Sequence, residues 1–236
     1  MNTEGRLAAV RERIVAACDQ AGRDPAQITL VAVSKGVPAS TVTEIVALGV
    51  LDIGENKVQE AVAKAAEVSA GMTAATPRWH FIGQLQRNKA RAIAEFAAMV
   101  HSVDRRRLVS ALDRAAAQHN RRLDVLLQID LDPDPDPTRG GVRPAELAAL
   151  IDVVLAAEHL SLRGVMTMAP PQGDPRISFD RLVGYSQSLQ AILPLATIVS
   201  AGMSGDLEAA ISAGATHVRV GTALFGARKL ASEHQT

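Results

Sequence analysis

ITLVAVSK, residues 28–35, is a run of β-branched and aliphatic side chains that ends in a lysine. Such a run is typical of a strand that is buried on both faces, as in a parallel sheet. A lysine at the end of a core strand either reaches solvent or supplies its amine to chemistry. The stretch therefore predicts a buried strand that delivers Lys35 to one edge of a parallel sheet.

Further short apolar runs follow, with helical patterns between them, at 51–55, 78–83, 99–104, 124–130, 162–168, 197–201 and 217–221. Strands that alternate with helices imply right-handed βαβ units and a parallel sheet. We predict an α/β fold, a single-domain (β/α)8 TIM barrel over residues 1–236 with an extra N-terminal helix. A doubly wound open sheet is the alternative, and it is disfavoured because no G-x-G-x-x-G motif follows a strand.

Composition excludes several classes of function. The chain has 25 basic and 25 acidic residues and is only 3% aromatic, so we expect no nucleic acid and no membrane among its partners. Its single cysteine, Cys18, rules out an internal disulfide and fits a reducing compartment, which predicts a cytoplasmic protein. The six histidines show no metal-ligand spacing, so no metal site is predicted.

Small and polar residues follow the last two predicted strands. TIM barrels hold ligands at the C-terminal ends of their strands, and they often bind phosphate in the loops after strands seven and eight. Met203 and Ser204 lie in the first of these loops, and Gly221 and Thr222 lie in the second. Glycine lets the backbone approach a ligand, and the hydroxyls add donors. The pattern therefore favours a ligand that carries a phosphate group.

Two cations complete the predicted site. Arg219 lies inside strand eight, where a guanidinium needs a partner, either a barrel carboxylate such as Glu55 or an acceptor on the ligand. We expect the Lys35 amine to be buried, which would disfavour its ammonium form and make it a nucleophile toward carbonyls. A phosphate site with a reactive amine suggests a phosphorylated aldehyde. Pyridoxal 5′-phosphate (PLP) and the carbonyl substrate of a class I aldolase both satisfy this description.

Several motifs resemble one known family. VAVSK, GENKVQE, WHFIGQLQRNK, HSVD, GVMTM and SAGMSGDLEAAISAGATHVRVGTALFGAR follow one another between residues 28 and 228. Together they resemble the PLP homeostasis protein family, whose barrel is similar to the N-terminal domain of alanine racemase. The resemblance therefore favours PLP over an aldolase substrate as the ligand.

The resemblance also assigns the cofactor contacts, to Lys35, Asn56, Met203, Ser204, Arg219, Gly221 and Thr222. It implies that Lys35 carries PLP as an internal aldimine and that the GMS and GT segments bind the phosphate. Arg219 is expected to face the pyridine nitrogen, with Asn56 beside the cofactor. No residue is assigned a catalytic role.

The expected activity is cofactor storage and delivery within PLP homeostasis. PLP enzymes that form carbanions usually hold a carboxylate against the pyridine nitrogen, and an arginine there makes the ring a weak electron sink. The chain also ends soon after FGAR, which leaves no room for the second domain of a racemase. We expect a monomer with apo-PLP enzymes as transient partners. A slow, racemase-like PLP enzyme acting on amino acids is the alternative.

Some positions depart from the family pattern. Members commonly have Phe and Tyr where this chain has Ile53 and Lys57, and a lysine where it has Arg139. These departures affect secondary contacts and leave the assigned residues unchanged. Trp79 and His80 of WHFIG are predicted to pack in the core of the barrel.

Overall fold

The computed structural model describes residues 2–71, 76–134, 136 and 138–226. Eight parallel strands form a closed barrel in chain order: β1 Thr29–Val33, β2 Asp52–Glu55, β3 Arg78–Phe81, β4 Met99–Val103, β5 Leu123–Gln128, β6 Leu160–Met166, β7 Ile198–Ser200 and β8 His217–Val220. Each lies within or overlaps a strand predicted from sequence. The (β/α)8 barrel is confirmed, and the open-sheet alternative is wrong because β1 pairs with β8.

Helices precede and connect the strands: α1 Thr3–Ala21, α2 Ala39–Ala47, α3 Val58–Gly71, α4 Ala90–Ala94, α5 Arg106–Gln118, α6 Leu147–Leu155, α7 Pro175–Ile192, α8 Leu207–Ala213 and α9 Thr222–Phe225. Single 3₁₀ turns lie at Pro25–Gln27, Arg87–Lys89 and Pro144–Glu146. No helix in the described ranges is long and apolar enough to cross a membrane. The segment LDPDPDPTRGGVRP, residues 131–144, is the proline-rich loop between β5 and α6. Its Pro135 and Pro137 lie outside the described residues, as do Ala227 and Arg228 of FGAR.

The extra helix α1 is capped at both ends. The Asn2 side chain accepts a hydrogen bond from the Gly5 N–H, and Gly22 ends the helix with a left-handed φ of 63°. Leu7, Val10, Ile14 and Cys18 form its buried stripe. Cys18 is fully buried, so its thiol has a packing role.

Strand β6 depends on a glycine for its pairing. A Cβ atom at Gly164 would lie 1.9 Å from the Ile198 carbonyl oxygen, and the residue has a φ of +151°. Any side chain here would push β7 away from β6, because the clash is with backbone. Gly164 therefore allows the two strands to lie close enough to pair.

The barrel interior holds polar groups beside a small apolar cluster of Met99, Leu126 and Met166, and the space between barrel and helices is apolar. Asp52, His80, His101, Ser200 and Arg219 are all buried. On the outer face of β3, Trp79 packs edge-on against Phe96 of the α4 region, with ring centroids 6.2 Å apart. The prediction that Trp79 packs in the core is confirmed. His80, its neighbour along the strand, contacts polar groups instead.

His217 gives the barrel a pH-dependent contribution to stability. Its ring lies 6.3 Å from that of His80 and 6.4 Å from that of His101. Burial, together with the nearby cationic groups, lowers the pKa of His217 from 6.5 to about 4 even though Asp52 opposes the shift. Between these two pH values the unfolded chain binds a proton that the folded chain does not, so stability falls as the pH falls.

We predict that the free energy of unfolding decreases by up to ~3 kcal/mol between pH 6.5 and 4 because of His217, at about 1.4 kcal/mol per pKa unit. Urea unfolding at several pH values measures this, and His217→Gln should flatten the profile. His159→Gln, at a half-exposed histidine, is the control and should keep the wild-type slope. An unchanged slope in His217→Gln would contradict the assignment.

Candidate cofactor site

The assigned residues follow four strands that are neighbours in the closed barrel, β7, β8, β1 and β2. Val33 of β1 pairs with Gly54 of β2, and two residues beyond this pair come Lys35 and Asn56. On the other side, Ala32 pairs with Val220, just before the Gly221–Thr222 segment. The register therefore brings the ends of these strands to one sector of the barrel rim.

A cavity of about 590 Å³ lies at this sector. It is lined by Lys35, Gly221 and Thr222, along with Val33 and the 36–38 segment. Lys35 is exposed, so the expectation of a buried amine is wrong. Strand β1 ends at Val33, two residues before the lysine, and the side chain therefore starts in the rim loop and not in the core.

The GMS segment lies beside this cavity and does not line it. Gly202 has a φ of +86°, and a Cβ there would lie 2.6 Å from the Ala210 Cβ, so the turn needs glycine to pack on α8. The Ser204 hydroxyl oxygen accepts a hydrogen bond from the Ala223 N–H at 3.3 Å. This contact joins the GMS and GT segments, and Met203 is exposed next to it.

Helix α1 contributes residues that the sequence analysis missed. Thr3 and Arg6 line the same cavity as Lys35. The Arg6 Nε donates to the Leu224 carbonyl at 2.6 Å, and Thr3 donates to Glu44 of α2 at 3.1 Å. The extra helix therefore forms one wall of the site. No spacing in the sequence indicates this, because residues 3–6 and 221–226 meet only through the fold.

The backbone on either side of Lys35 is held by α3. Lys64 donates to the Ser34 carbonyl at 2.7 Å, and Glu60 accepts a hydrogen bond from the Gly36 N–H. Lys64 and Glu60, one turn apart on the helix, form an ion pair at 2.9 Å. Although burial raises the pKa of Glu60, its contacts with Lys64 and Gly36 outweigh burial and lower it. The two side chains fix the backbone on both sides of Lys35.

Glu55 pairs with Lys64 and not with Arg219. The Glu55 carboxylate is 1% exposed and accepts hydrogen bonds from Lys64 and from the Ser34 hydroxyl. The barrel-carboxylate alternative for Arg219 is therefore wrong, because α3 supplies a cation closer to Glu55. The second oxygen of Glu55 and the Asn56 Oδ1 are buried and have no hydrogen-bond partner in the part of the chain that the structure describes.

Arg219 is held inside the barrel by neutral groups. Its Nη1 donates to the Ser200 hydroxyl at 2.7 Å and its Nη2 to the Thr167 carbonyl at 2.8 Å. Burial lowers the pKa of Arg219 to about 10, so the guanidinium remains charged at neutral pH. Two of its five N–H groups are used in these bonds, and the others are left to bind an acceptor.

The arginines of the proline-rich loop have structural contacts. Arg143 donates to Asp130 at 2.9 Å, and Arg139 donates to Asp132 at 3.3 Å. Arg139 also donates to the Met168 carbonyl at 3.1 Å, which ties the loop to the end of β6. The departure at Arg139 therefore introduces a residue that anchors its own loop.

Comparison with known proteins agrees with this geometry. The family model for the N-terminal domain of alanine racemase matches residues 6–229. The pyridoxal phosphate homeostasis protein of Mycobacterium tuberculosis H37Rv is 43% identical over 241 residues, covering 96% of this chain and 93% of that protein. The protein of the same name from Escherichia coli K12 is 40% identical over 226 residues, covering 94% and 95%. The chain belongs to the pyridoxal phosphate homeostasis protein family.

Solved structures extend this family assignment to three dimensions. PipY of Synechococcus elongatus, solved with PLP bound, superposes with a TM-score of 0.82 at 36% identity, covering 95% of this chain and all of that one. Alanine racemase from Corynebacterium glutamicum shares the fold at a TM-score of 0.63 and 18% identity, and this chain covers 62% of it. The resemblance stated from the motifs and the barrel inferred from the strand pattern are both confirmed.

We predict that the Lys64→Met substitution in this family member lowers the free energy of unfolding by about 3–5 kcal/mol, because it leaves the buried Glu55 carboxylate without its cation. Chemical denaturation followed by circular dichroism measures the change. The double variant Lys64→Met/Glu55→Gln should recover part of the loss. Lys57→Met, at an exposed lysine, is the matched control. A Lys64→Met protein as stable as wild type would refute the role given to this pair.

Proposed function

We propose that the chain binds PLP as an imine on Lys35 and serves in PLP homeostasis by storing or delivering the cofactor. The observation that carries the proposal is the shared cavity, which is lined by both Lys35 and the Gly221–Thr222 segment. Two elements are needed to hold PLP: an amine that reaches its aldehyde, and a glycine-rich rim that binds its phosphate. The names of the relatives and the PLP-bound PipY structure support the same ligand.

The donors at the rim fit a phosphate. Ser204 and Thr222 supply hydroxyls, and Gly221 keeps this part of the rim free of a side chain. Arg6 adds a positive charge to the wall of the cavity. In the proposed arrangement these groups, with Met203, bind the phosphate, and Lys35 holds the aldehyde carbon.

Two more assigned residues fit the cofactor ring. Asn56 lies level with Lys35 on the neighbouring strand, and its buried Oδ1 has no partner among the described residues. Arg219 keeps N–H groups that are not used by Ser200 or Thr167. In the proposed arrangement Asn56 lies beside the ring and Arg219 donates to its nitrogen.

A carrier role is favoured over turnover of amino acids. The bound cofactor supplies an electron sink, whose strength depends on protonation of the ring nitrogen. Arg219 has no proton acceptor to offer that nitrogen, because a guanidinium only donates. The described cavity lining also supplies no histidine, carboxylate or tyrosine to act as a base. We therefore propose negligible racemase activity. A slow PLP enzyme remains the second candidate, supported by the shared fold with alanine racemase.

The remaining parts of the proposal concern the wider setting. We propose one PLP-binding domain over residues 1–236, a monomer, located in the cytoplasm. Balanced charge and the reduced, buried Cys18 support the location and the lack of nucleic-acid or membrane partners. Apo-PLP enzymes are the proposed transient protein partners, because a cofactor that is held by a reversible bond at an exposed rim can be transferred to another protein.

The purified full chain, loaded with PLP, should show an absorbance band near the blue edge of the visible that Lys35→Ala abolishes. Borohydride reduction followed by mass spectrometry should place a pyridoxyl group on Lys35, because reduction traps the imine. Lys89→Ala keeps the band and serves as the control. A colourless wild-type protein would favour the aldolase alternative, and a pyridoxyl group at another lysine would refute the assigned contact.

The carrier and enzyme candidates differ in proton exchange. In deuterated water, the PLP-loaded protein should leave the Cα proton of L-alanine unexchanged over hours, as followed by proton NMR. We expect this because the ring nitrogen is not protonated and the described cavity lining supplies no second base beside Lys35. Exchange at an enzyme-like rate that disappears in Lys35→Ala would overturn the carrier proposal. An authentic alanine racemase is the positive control.

A further inference from the structure

A chain of buried hydrogen bonds runs from Arg219 through the barrel interior. Arg219 Nη1 lies 2.7 Å from the Ser200 Oγ, which lies 2.9 Å from His101 Nδ1. His101 Nε2 lies 2.9 Å from His80 Nδ1, and His80 Nε2 lies 2.9 Å from an oxygen of Asp52. The contacts join β8, β7, β4, β3 and β2, so the chain crosses the barrel from the strand that carries Arg219 to the start of β2.

The two ends of the chain set the direction of its outer bonds. A guanidinium only donates and a carboxylate only accepts, so Ser200 accepts from Arg219 and His80 donates to Asp52. Two arrangements of the inner bonds satisfy these ends. In the first, the Ser200 hydroxyl donates to His101 Nδ1 and His101 donates through Nε2 to His80 Nδ1, so that each ring carries one proton, on Nε2. In the second, His80 carries two protons and donates to His101 Nε2, and His101 donates through Nδ1 to Ser200.

The first arrangement is favoured because it adds no second cation to an interior in which Arg219 is already buried. Although burial opposes it, hydrogen bonds from His80 and Arg78 hold the pKa of Asp52 well below its usual value. Burial is the largest cause that lowers the pKa of His101 well below 6.5, which keeps its ring neutral. Asp52 is thus the anionic end of the chain and Arg219 the cationic end. Reversing the hydrogen bonds at these ends would require a proton to move from the guanidinium to the carboxylate, although the pKa of Arg219 lies far above that of Asp52.

The hydrogen-bond chain connects Arg219 to an anion, which its direct hydrogen-bond partners do not provide. No carboxylate among the described residues contacts Arg219 as an ion pair, although Asp206 at longer range raises its pKa against the effect of burial. A buried cation without a counter-charge in contact is unfavourable. Thr167 and Ser200 offer only neutral oxygens. The hydrogen-bond chain orients each dipole so that its negative end points toward the guanidinium, and Asp52 provides the anion at the far end.

We infer that Ser200 and His101 are positioning residues, which hold Arg219 as a fixed, donor-only cation through a one-way chain that ends at Asp52. The inference rests on the proposed function for its role toward PLP. It extends that function by naming residues, among them His101 across the barrel, that would determine the surroundings of the pyridine nitrogen of PLP. A ligand atom placed against Arg219 must then be an acceptor, such as an unprotonated pyridine nitrogen.

The test uses the ligand-free full chain labelled with ¹⁵N. Two-bond ¹H–¹⁵N correlation spectra at neutral pH report the tautomer of each histidine, and His80→Gln and His101→Gln assign the two rings. The expected result is a neutral ring with its proton on Nε2 for both residues. A proton on Nδ1 of His101, or a positively charged ring there, would overturn the inference.

Variants at Ser200 separate positioning from packing. In Ser200→Ala, His101 Nδ1 loses its donor, so the His101 signals should move toward a mixture of tautomers while His217, outside the chain, keeps its signals. Ser200→Thr retains the hydroxyl and should restore the wild-type pattern. An unchanged His101 tautomer in Ser200→Ala would show that the serine does not set it, and this would overturn the inference.

Equilibrium dialysis against PLP then gives the effect on binding. We expect Ser200→Ala to raise the Kd about tenfold, as for a lost hydrogen bond to a charged group, with Ser200→Thr close to wild type. Equal affinity in all three proteins would overturn the positioning role. If the wild-type chain binds no PLP at all, the proposed function fails, whereas the tautomers measured without ligand still decide the structural part of the inference.

Discussion

The pairing of β1 with β8 is the interaction on which the rest of the structure depends. Thr29 pairs with His217 and Ala32 with Val220, so the first and last strands of the barrel share one ladder. This closure removes the sheet edges and brings the Lys35 loop beside the Gly221–Thr222 segment. It also lets α1 lie over the junction, where Arg6 binds the Leu224 carbonyl. Without the closure, the amine and the proposed phosphate-binding rim would belong to opposite edges of a sheet.

The barrel interior follows from the need to bury one cation. Many TIM barrels fill this space with branched aliphatic side chains. Here a guanidinium occupies part of it, and a buried cation requires oriented dipoles and an anion. Histidine suits the interior positions because each ring can accept on one nitrogen and donate from the other. The polar chain and Arg219 therefore depend on each other, and most of the apolar core lies outside the strands, where the helices pack.

Much of the candidate site could be predicted from the residues that follow each strand. Residues after neighbouring parallel strands share one rim, and this places Lys35, Asn56 and the 221–222 segment together without knowledge of side-chain positions. The same reasoning missed Glu60 and Lys64, because their hold on the Ser34–Gly36 backbone depends on how α3 packs. It also placed the Lys35 amine in the core, whereas the strand ends two residues earlier and the lysine lies on the rim.

The sequence by itself determined the barrel, since the alternation of apolar runs and helical stripes is a local property that each segment carries independently. It also determined the family, through motifs that are contiguous along the chain. Only the tertiary structure decided which partner each buried charge has: Glu55 binds Lys64, and Arg219 reaches Asp52 through Ser200 and two histidines. Such pairings depend on strand register and on the direction of side chains across the barrel, and residues far apart in sequence carry no signal of either.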